Sequence, residues 1–306
     1  MKLGLQISSF TWSGGDAAIA DTFAGIVRTA DEAGFDSIWV MDHFLQIRSV
    51  GKPEEPMLEG MTALGYMAAL TKRARLGLMV GGIHYRNAGL WVKAATTLDV
   101  LSGGRSYFGI GAAWNEDESR AWGFPMPPLG QRFEMLEETL QLARAAWTGE
   151  QGTREPHAGV HYQASDPLNA PQALSKPRPP ILIGGGGERR TLKLVAKYAD
   201  ATNVFGTDPA QLRHKYEVLQ GHCETVGRDY AEIEKTFLAG VSITPDGARR
   251  TLTPDAMVER LGRTAEAGAQ HAIVGIRGVE DLTKLALIGR DVIPQLRGIG
   301  EPSPIS

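Results

Sequence analysis

The chain has 306 residues, 42% of them hydrophobic and 22% charged, with a formal net charge of −3, which is the balance of an ordinary soluble globular protein of one large or two ordinary domains. No basic block offsets that charge, which argues against a nucleic-acid role, and the single cysteine, Cys223, excludes an internal disulfide or a multi-cysteine metal site. No apolar run approaches the ~20 residues of a membrane span, and Met1 to Ile7 is too short and too alternating for a signal peptide, so the expected location is the cytoplasm.

Short apolar runs alternate with longer amphipathic ones along most of the chain. The pattern predicts a strand over Leu3 to Ile7 and a helix over Ala17 to Ala33, which Gly34 ends as a C-cap glycine would. Strand Ser37 to Met41 precedes helix Met61 to Thr71. Strand Arg75 to Ile83 precedes helix Leu90 to Leu101, stopped by Gly103-Gly104. Strand Ser106 to Ile110 precedes a long helix, Gln131 to Trp147. Residues 149–179 carry five prolines and little periodicity, and are read as an insertion. Pattern resumes with strand Ile181 to Ile183 and helix Thr191 to Tyr198, then strand Ala201 to Val204 and helix Pro209 to Val226. Strand Lys235 to Ile243 and helix Ala256 to Ala267 follow, then strand His271 to Ile276 and helix Val279 to Ile288. Cys223 falls in a helical pattern and reads as buried filler.

Eight βα units fit a (β/α)8 barrel, a single domain over 1–306 with the insertion near the strand C-terminal face. Strict alternation implies parallel strands and right-handed crossovers. A doubly wound open sheet is the rival, but no dinucleotide fingerprint follows the first strand. In a barrel the active site lies at the strand C-terminal ends, which ranks the polar residues found there.

The tetraglycine Gly184-Gly185-Gly186-Gly187 joins a strand to a helix start. Bare N–H groups there favour an anion, most often a phosphate, and Arg189 and Arg190 agree with one; the other reading is a flexible turn. After the second strand, Asp42 and His43 form a pair in which the carboxylate orients an imidazole able to transfer a proton; alternatively Asp42 braces the loop and His43 is only a wall. Gly81 and Gly82 allow either a flat ring packed on the strand or a barrel bend. After the fourth strand, Gly111 and Ala112 leave room for a bulky ligand, Trp114 offers an apolar wall and Asn115 an amide. Thr202 and Asn203 end the sixth strand and offer hydrogen bonds to a phosphate or polyol, or ordinary loop chemistry. The run Glu116-Asp117-Glu118 reads as a solvated turn and helix start. Neither glycine cluster completes a dinucleotide or P-loop motif, no Gly-x-Ser-x-Gly or His-Glu-x-x-His occurs, and the seven histidines show no metal-ligand spacing.

Several stretches together resemble the bacterial luciferase-like superfamily, and within it the oxidoreductases that use the deazaflavin coenzyme F420. They are Gly34-Phe35-Asp36-Ser37-Ile38-Trp39 with Asp42-His43-Phe44, residues 97–105, residues 109–116, residues 180–187 and Tyr198-Ala199-Asp200-Ala201. The resemblance implies a (β/α)8 barrel, a flat isoalloxazine-type ring at the strand ends, and a non-proline cis peptide that by position is Met79-Val80. It implies a cofactor set of Met79, Val80, Gly81, Gly111, Ala112, Asn115, Gly184, Gly185, Gly186, Gly187, Thr202 and Asn203. His43 matches the proton-transfer histidine of the family's sugar-phosphate dehydrogenases, with Asp42 its orienter. Those dehydrogenases carry a glutamate after the fourth strand where this chain has Ala112-Ala113-Trp114, which puts that activity in doubt. The luciferases proper carry an FMN-phosphate arginine where this chain has Ala112, which favours F420 over FMN.

The expected function is hydride transfer between F420 and a small organic substrate. An FMN-dependent monooxygenase and a non-catalytic flavin-binding protein are the alternatives. A homodimer is the family's usual form. The substrate pocket is expected from Phe10, Trp12, Trp114, the loop Gln46 to Pro56 and the insertion.

Overall fold

Alternation of inward and outward residues decides how the strands stack. The computed structural model describes residues 1–148, 152 and 154–299; the start of the insertion at Gly149 and the end of the chain from Gly300 lie outside the described residues. Its barrel strands are β1 (Lys2–Ile7), β2 (Ser37–Val40), β3 (Arg75–Leu78), β4 (Phe108–Gly111), β5 (Ile181–Gly184), β6 (Ala201–Phe205), β7 (Glu234–Val241) and β8 (His271–Ile276). All pair in parallel in the order β3-β2-β1-β8-β7-β6-β5-β4, and β4 pairs on its other side with Gly81–Gly82, a continuation of the third strand. Both ends of the sheet are thus pieces of one strand, and the sheet closes on itself. The predicted long third strand is in fact broken: β3 stops at Leu78, the Met79-Val80 peptide is cis, and Ile83–Tyr85 turns as a short 3-10 helix.

The helices are α1 (Ile19–Ala33), α2 (Gly60–Leu70), α3 (Ala88–Leu101), α4 (Glu116–Trp122), α5 (Leu129–Ala146), α6 (Thr191–Tyr198), α7 (Pro209–Val226), α8 (Pro254–Glu266), α9 (Leu282–Asp291) and α10 (Ile293–Arg297). Local chemistry sets their ends. Gly34 stops α1 in the left-handed region at φ 94°, its N–H on the Ala30 and Asp31 carbonyls. Asn87, Asp208, Thr253 and Asp281 accept first-turn N–H groups of α3, α7, α8 and α9. The last helix predicted from Val279 therefore begins at Leu282, after its Asp281 cap.

Outward strand residues and the inner helix faces form the large core. Inside the barrel, Trp39, Met79, Tyr107, Leu182, Ala201 and Ile273 pack against one another. At the strand starts Glu234 closes the floor. It accepts from Tyr107 Oη (2.8 Å) and Lys2 Nζ (2.8 Å) and lies 3.5 Å from His271 Nδ1, while His271 Nε2 meets Ser37 Oγ at 2.9 Å.

The proline-rich insertion packs outside the barrel. Its hairpin, His157–Ala158 with Gln163–Ala164, is held by Glu138 of α5, which accepts from the N–H groups of Val160 (2.8 Å), His161 (3.0 Å) and Tyr162 (2.9 Å). Further along, Ser175 N–H donates to the buried Asp99 of α3 at 2.8 Å.

Burial alone would raise the Glu234 carboxyl, but His271 and Lys2 outweigh it and hold the group far below its ordinary 4.5. Its stabilisation is therefore complete above that value and is lost as pH falls below it. Glu234→Gln should cost about 1–3 kcal/mol at pH 7 and flatten the acid limb of stability, read by urea melts from pH 7 to 3.

Candidate active site

The strand C-terminal ends open into a cavity of about 1820 Å³. Val80 forms part of its wall. A Cβ on Gly184 would fall 2.8 Å from Val80 Cγ1, and one on Gly111 would fall 3.0 Å from Val80 Cγ2, so these two positions are bare to admit the Val80 side chain. Met79, Val80, Gly81, Gly111, Ala112 and Asn115 all line the cavity. From behind, Arg132 of α5 donates to the carbonyls of Ala112 (3.3 Å) and Ala113 (2.9 Å), holding Ala113 at φ 58°.

The tetraglycine lines the same cavity. Gly185, at φ 120°, donates its N–H to the Asn203 carbonyl (2.9 Å). The N–H groups of Gly186, Gly187 and Glu188 have no acceptor among the described residues. Arg189, Arg190 and Lys215 stand beside them; Arg189 is exposed, with no side-chain partner among the described residues, and Lys215 is bound to Glu188 at 2.6 Å. Helix α6 starts only at Thr191, after a turn over 188–190, so the free N–H groups belong to a glycine loop rather than to the helix's first turn. Such a run of open N–H groups flanked by cations has the chemistry that suits an anion.

Thr202 and Asn203 need correction as cofactor ligands. Ala201 packs inside the barrel, so Thr202 turns outward to the helices, where it is fully buried. Asn203 faces inward, but its Oδ1 accepts from Thr236 at 2.9 Å. Neither lines the cavity; the Asn203 carbonyl shapes the glycine loop, while its buried Nδ2 has no partner among the described residues.

His43 stands in the opposite wall. Its Nδ1 lies 2.6 Å from Oε1 of Glu118, a fully buried residue in α4. Glu118 also accepts from the N–H groups of Phe44 (2.8 Å) and Leu45 (3.3 Å) and from the Tyr85 hydroxyl. Burial raises the Glu118 carboxyl, but the His43 bond and charge, the Tyr85 hydroxyl and the Phe44 N–H together pull it below its ordinary value. An ionised carboxylate only accepts, so Nδ1 carries hydrogen and Nε2 is left free for a ligand. The acidic run does start a helix, but Glu118 is not solvated: Asn115 caps α4 and turns residue 118 inward. That inward turn is the only local signal that would have separated Glu118 from Glu116 and Asp117.

Asp42 does not orient His43. Both its oxygens are taken by Arg86 (2.8 Å each), and Oδ2 also accepts from Gly82 N–H (2.9 Å). Arg86 in turn binds Glu59, the cap of α2, and lies over the Trp91 ring. Asp42 also lines the cavity, but its bonds to Gly82 N–H and Arg86 make it the brace of the turn after the third strand.

Among the expected pocket residues, Trp12 and Trp114 line the cavity, as do Ile47, Ser49 and Val50 of the loop Gln46 to Pro56. Phe10 does not; it is buried edge-on against Trp12 and Phe23. Nor do the described residues of the insertion, which pack outside the barrel. Behind Tyr85, burial first and then the Arg132 charge push His84 down to about 4, against the pull of Glu118. No helix among the described residues is long and apolar enough to cross a membrane, and no group of three or more His, Cys, Asp or Glu there could hold a metal.

Residues 1–280 match the family model described as luciferase-like monooxygenase. An uncharacterized protein of Mycobacterium tuberculosis is 27% identical over 268 residues, 83% of this chain and 87% of that one. The F420-dependent glucose-6-phosphate dehydrogenase of Microbacterium testaceum is 25% identical over 315 residues, 88% of this chain and 91% of that one. The coenzyme F420 dependent tetrahydromethanopterin reductase of Methanopyrus kandleri superposes with a TM-score of 0.78 at 16% identity, covering 96% of this chain and 99% of that one, a likeness of fold.

Two stability predictions arise here. Glu118→Ala strands four donors and should cost about 3 kcal/mol in urea melts, with Glu118→Gln costing less. His84 binds protons more weakly folded than unfolded, so its linkage costs stability as pH falls from 6.5 through about 4. His84→Gln should lose less stability than the parent between those pH values.

Proposed function

We propose that this chain, which belongs to the luciferase-like monooxygenase family, is an oxidoreductase that holds coenzyme F420 in its mouth cavity and acts on a small organic substrate. The observation that carries this reading is the pairing of a flat glycine-and-valine wall with a histidine whose Nδ1 is held by a buried carboxylate. Val80 with the bare backbones of Gly81 and Gly111 suits the face of a tricyclic ring, and the free N–H groups of Gly186, Gly187 and Glu188 with Arg189 suit its phosphate. When bound, the deazaflavin supplies a hydride donor or acceptor at C5.

The chain's own part is orientation and proton movement. His43 Nε2 takes the proton of a substrate hydroxyl, or returns it to a carbonyl in the other direction. The Glu118 carboxylate 2.6 Å from Nδ1 stabilises the imidazolium formed in the first case. Trp12 and Trp114 offer apolar surface at the mouth for the substrate.

Titration of the protein with F420 and with FMN tests the cofactor. Micromolar binding of F420 alone supports the reading; FMN binding alone replaces it with the monooxygenase. Turnover across enones, imines, alcohols and sugar phosphates then separates an enzyme from a non-catalytic binder. His43→Ala should slow the single-turnover hydride step by about 10²- to 10⁴-fold with cofactor affinity unchanged. An unchanged step would remove His43 from the chemistry.

A further inference from the structure

Two glycines in the cavity have no reason to be glycine that the protein itself supplies. Gly240 of β7 and Gly275 of β8 are register partners in regular parallel strands, and neither has a positive φ. A Cβ on Gly240 would meet nothing within 4 Å, and one on Gly275 would meet only the Gln6 carbonyl oxygen at 3.9 Å. Elsewhere the cause is visible. A Cβ on Gly109 would collide with the Leu78 carbonyl oxygen, and Gly111 and Gly184 make way for Val80. Glycine weakens a strand and gives it nothing to pack, so a bare position that neither backbone nor neighbours require marks a place where something else approaches.

The two positions face into the barrel. Leu238 and Ile273, two residues earlier and also register partners, belong to the inner packing, and alternation brings Gly240 and Gly275 to the same side. Both line the cavity, as do Ser242 and Arg277 two residues further on. The result is a recess in one wall of the mouth, its back made of the bare backbone of two neighbouring strands, with Leu238 at its floor, Gln6 beside it, and Ser242 and Arg277 at its rim. The Arg277 guanidinium is exposed, with no hydrogen-bond partner among the described residues, and Glu280 shares the rim. Around the barrel, β7, β8 and β1 lie across from the Val80 wall on the third strand, β4 and β5.

We propose that Gly240 and Gly275 form the substrate slot, shaped for a planar apolar ring system whose carboxylate- or sulfonate-type substituent meets Arg277. The assignment to substrate rests on the preceding reading, in which the cofactor takes the opposite wall. Below the rim the slot offers apolar carbon and peptide faces, which suit a ring. At the rim Arg277 offers five donors in a fork that matches an oxyanion.

The probe is 8-anilinonaphthalene-1-sulfonate, followed by fluorescence on the full chain with and without saturating F420. Gly240→Val and Gly275→Val fill open space in a strand, so the melting temperature should hold, with Gly240→Ala as a milder control. Each valine should weaken probe binding by about tenfold or more, and Arg277→Gln by about tenfold, while F420 affinity stays within about twofold. Absence of probe binding to the parent, indifference to both valines, or displacement of the probe by F420 would overturn the slot. If F420 fails to bind while the probe responds as expected, the cofactor reading falls and the slot stands. If F420 binds and the probe ignores the valines, the reverse holds.

Discussion

Four donors converge on the Glu118 carboxylate: the His43 ring, the N–H groups of Phe44 and Leu45, and the Tyr85 hydroxyl. They come from the loops after the second and third strands, while Glu118 itself stands on the helix after the fourth. A buried anion of this kind is tolerated only where its acceptor sites are filled, so the three loops must be in place together. The geometry of His43 follows from that requirement. Its ring plane, its tautomer and the freedom of Nε2 are consequences of a charge that has nowhere else to go.

A second anion works in parallel one layer away. Asp42 is neutralised by Arg86, which also holds Glu59 at the start of α2 and covers Trp91 at the start of α3. Neighbouring residues in the chain, both lining the cavity, thus serve two separate networks, with Asp42 bracing the turn at Gly82 and His43 held by Glu118. Burial of such pairs stabilises little by itself, but leaving either partner alone is costly, which makes the arrangement specific.

The mouth divides by what its glycines accommodate. On one side Gly111 and Gly184 yield to Val80, and the result is a flat wall made by the protein itself. On the other, Gly240 and Gly275 yield to nothing in the chain. Between them residues 186–188 leave their N–H groups open beside Arg189 and Lys215. A cavity of about 1820 Å³ is large enough for these surfaces to serve different parts of a bound assembly.

Much of this was legible in the sequence because it is local. The eight βα units, the C-cap at Gly34, the cis peptide site and the cavity residues from Met79 to Asn115 follow from short-range periodicity, turn chemistry and family resemblance. What stayed hidden depends on which way a side chain turns and on partners far along the chain. Thr202 and Asn203 stand at a strand end as expected, yet one faces the helices and the other gives its Oδ1 to Thr236 below the cavity. Phe10 belongs to the core around Phe23, and the insertion packs on the outer wall because Glu138 and Asp99 hold it there. Glu118, not Asp42, holds His43, since His43 lies 75 residues from the carboxylate that holds it and one residue from the carboxylate that does not. Sequence by itself determined the barrel and the face on which chemistry occurs, through the periods of strand and helix. Only the tertiary structure decided which carboxylate meets the histidine, because that contact joins elements that barrel closure alone brings together.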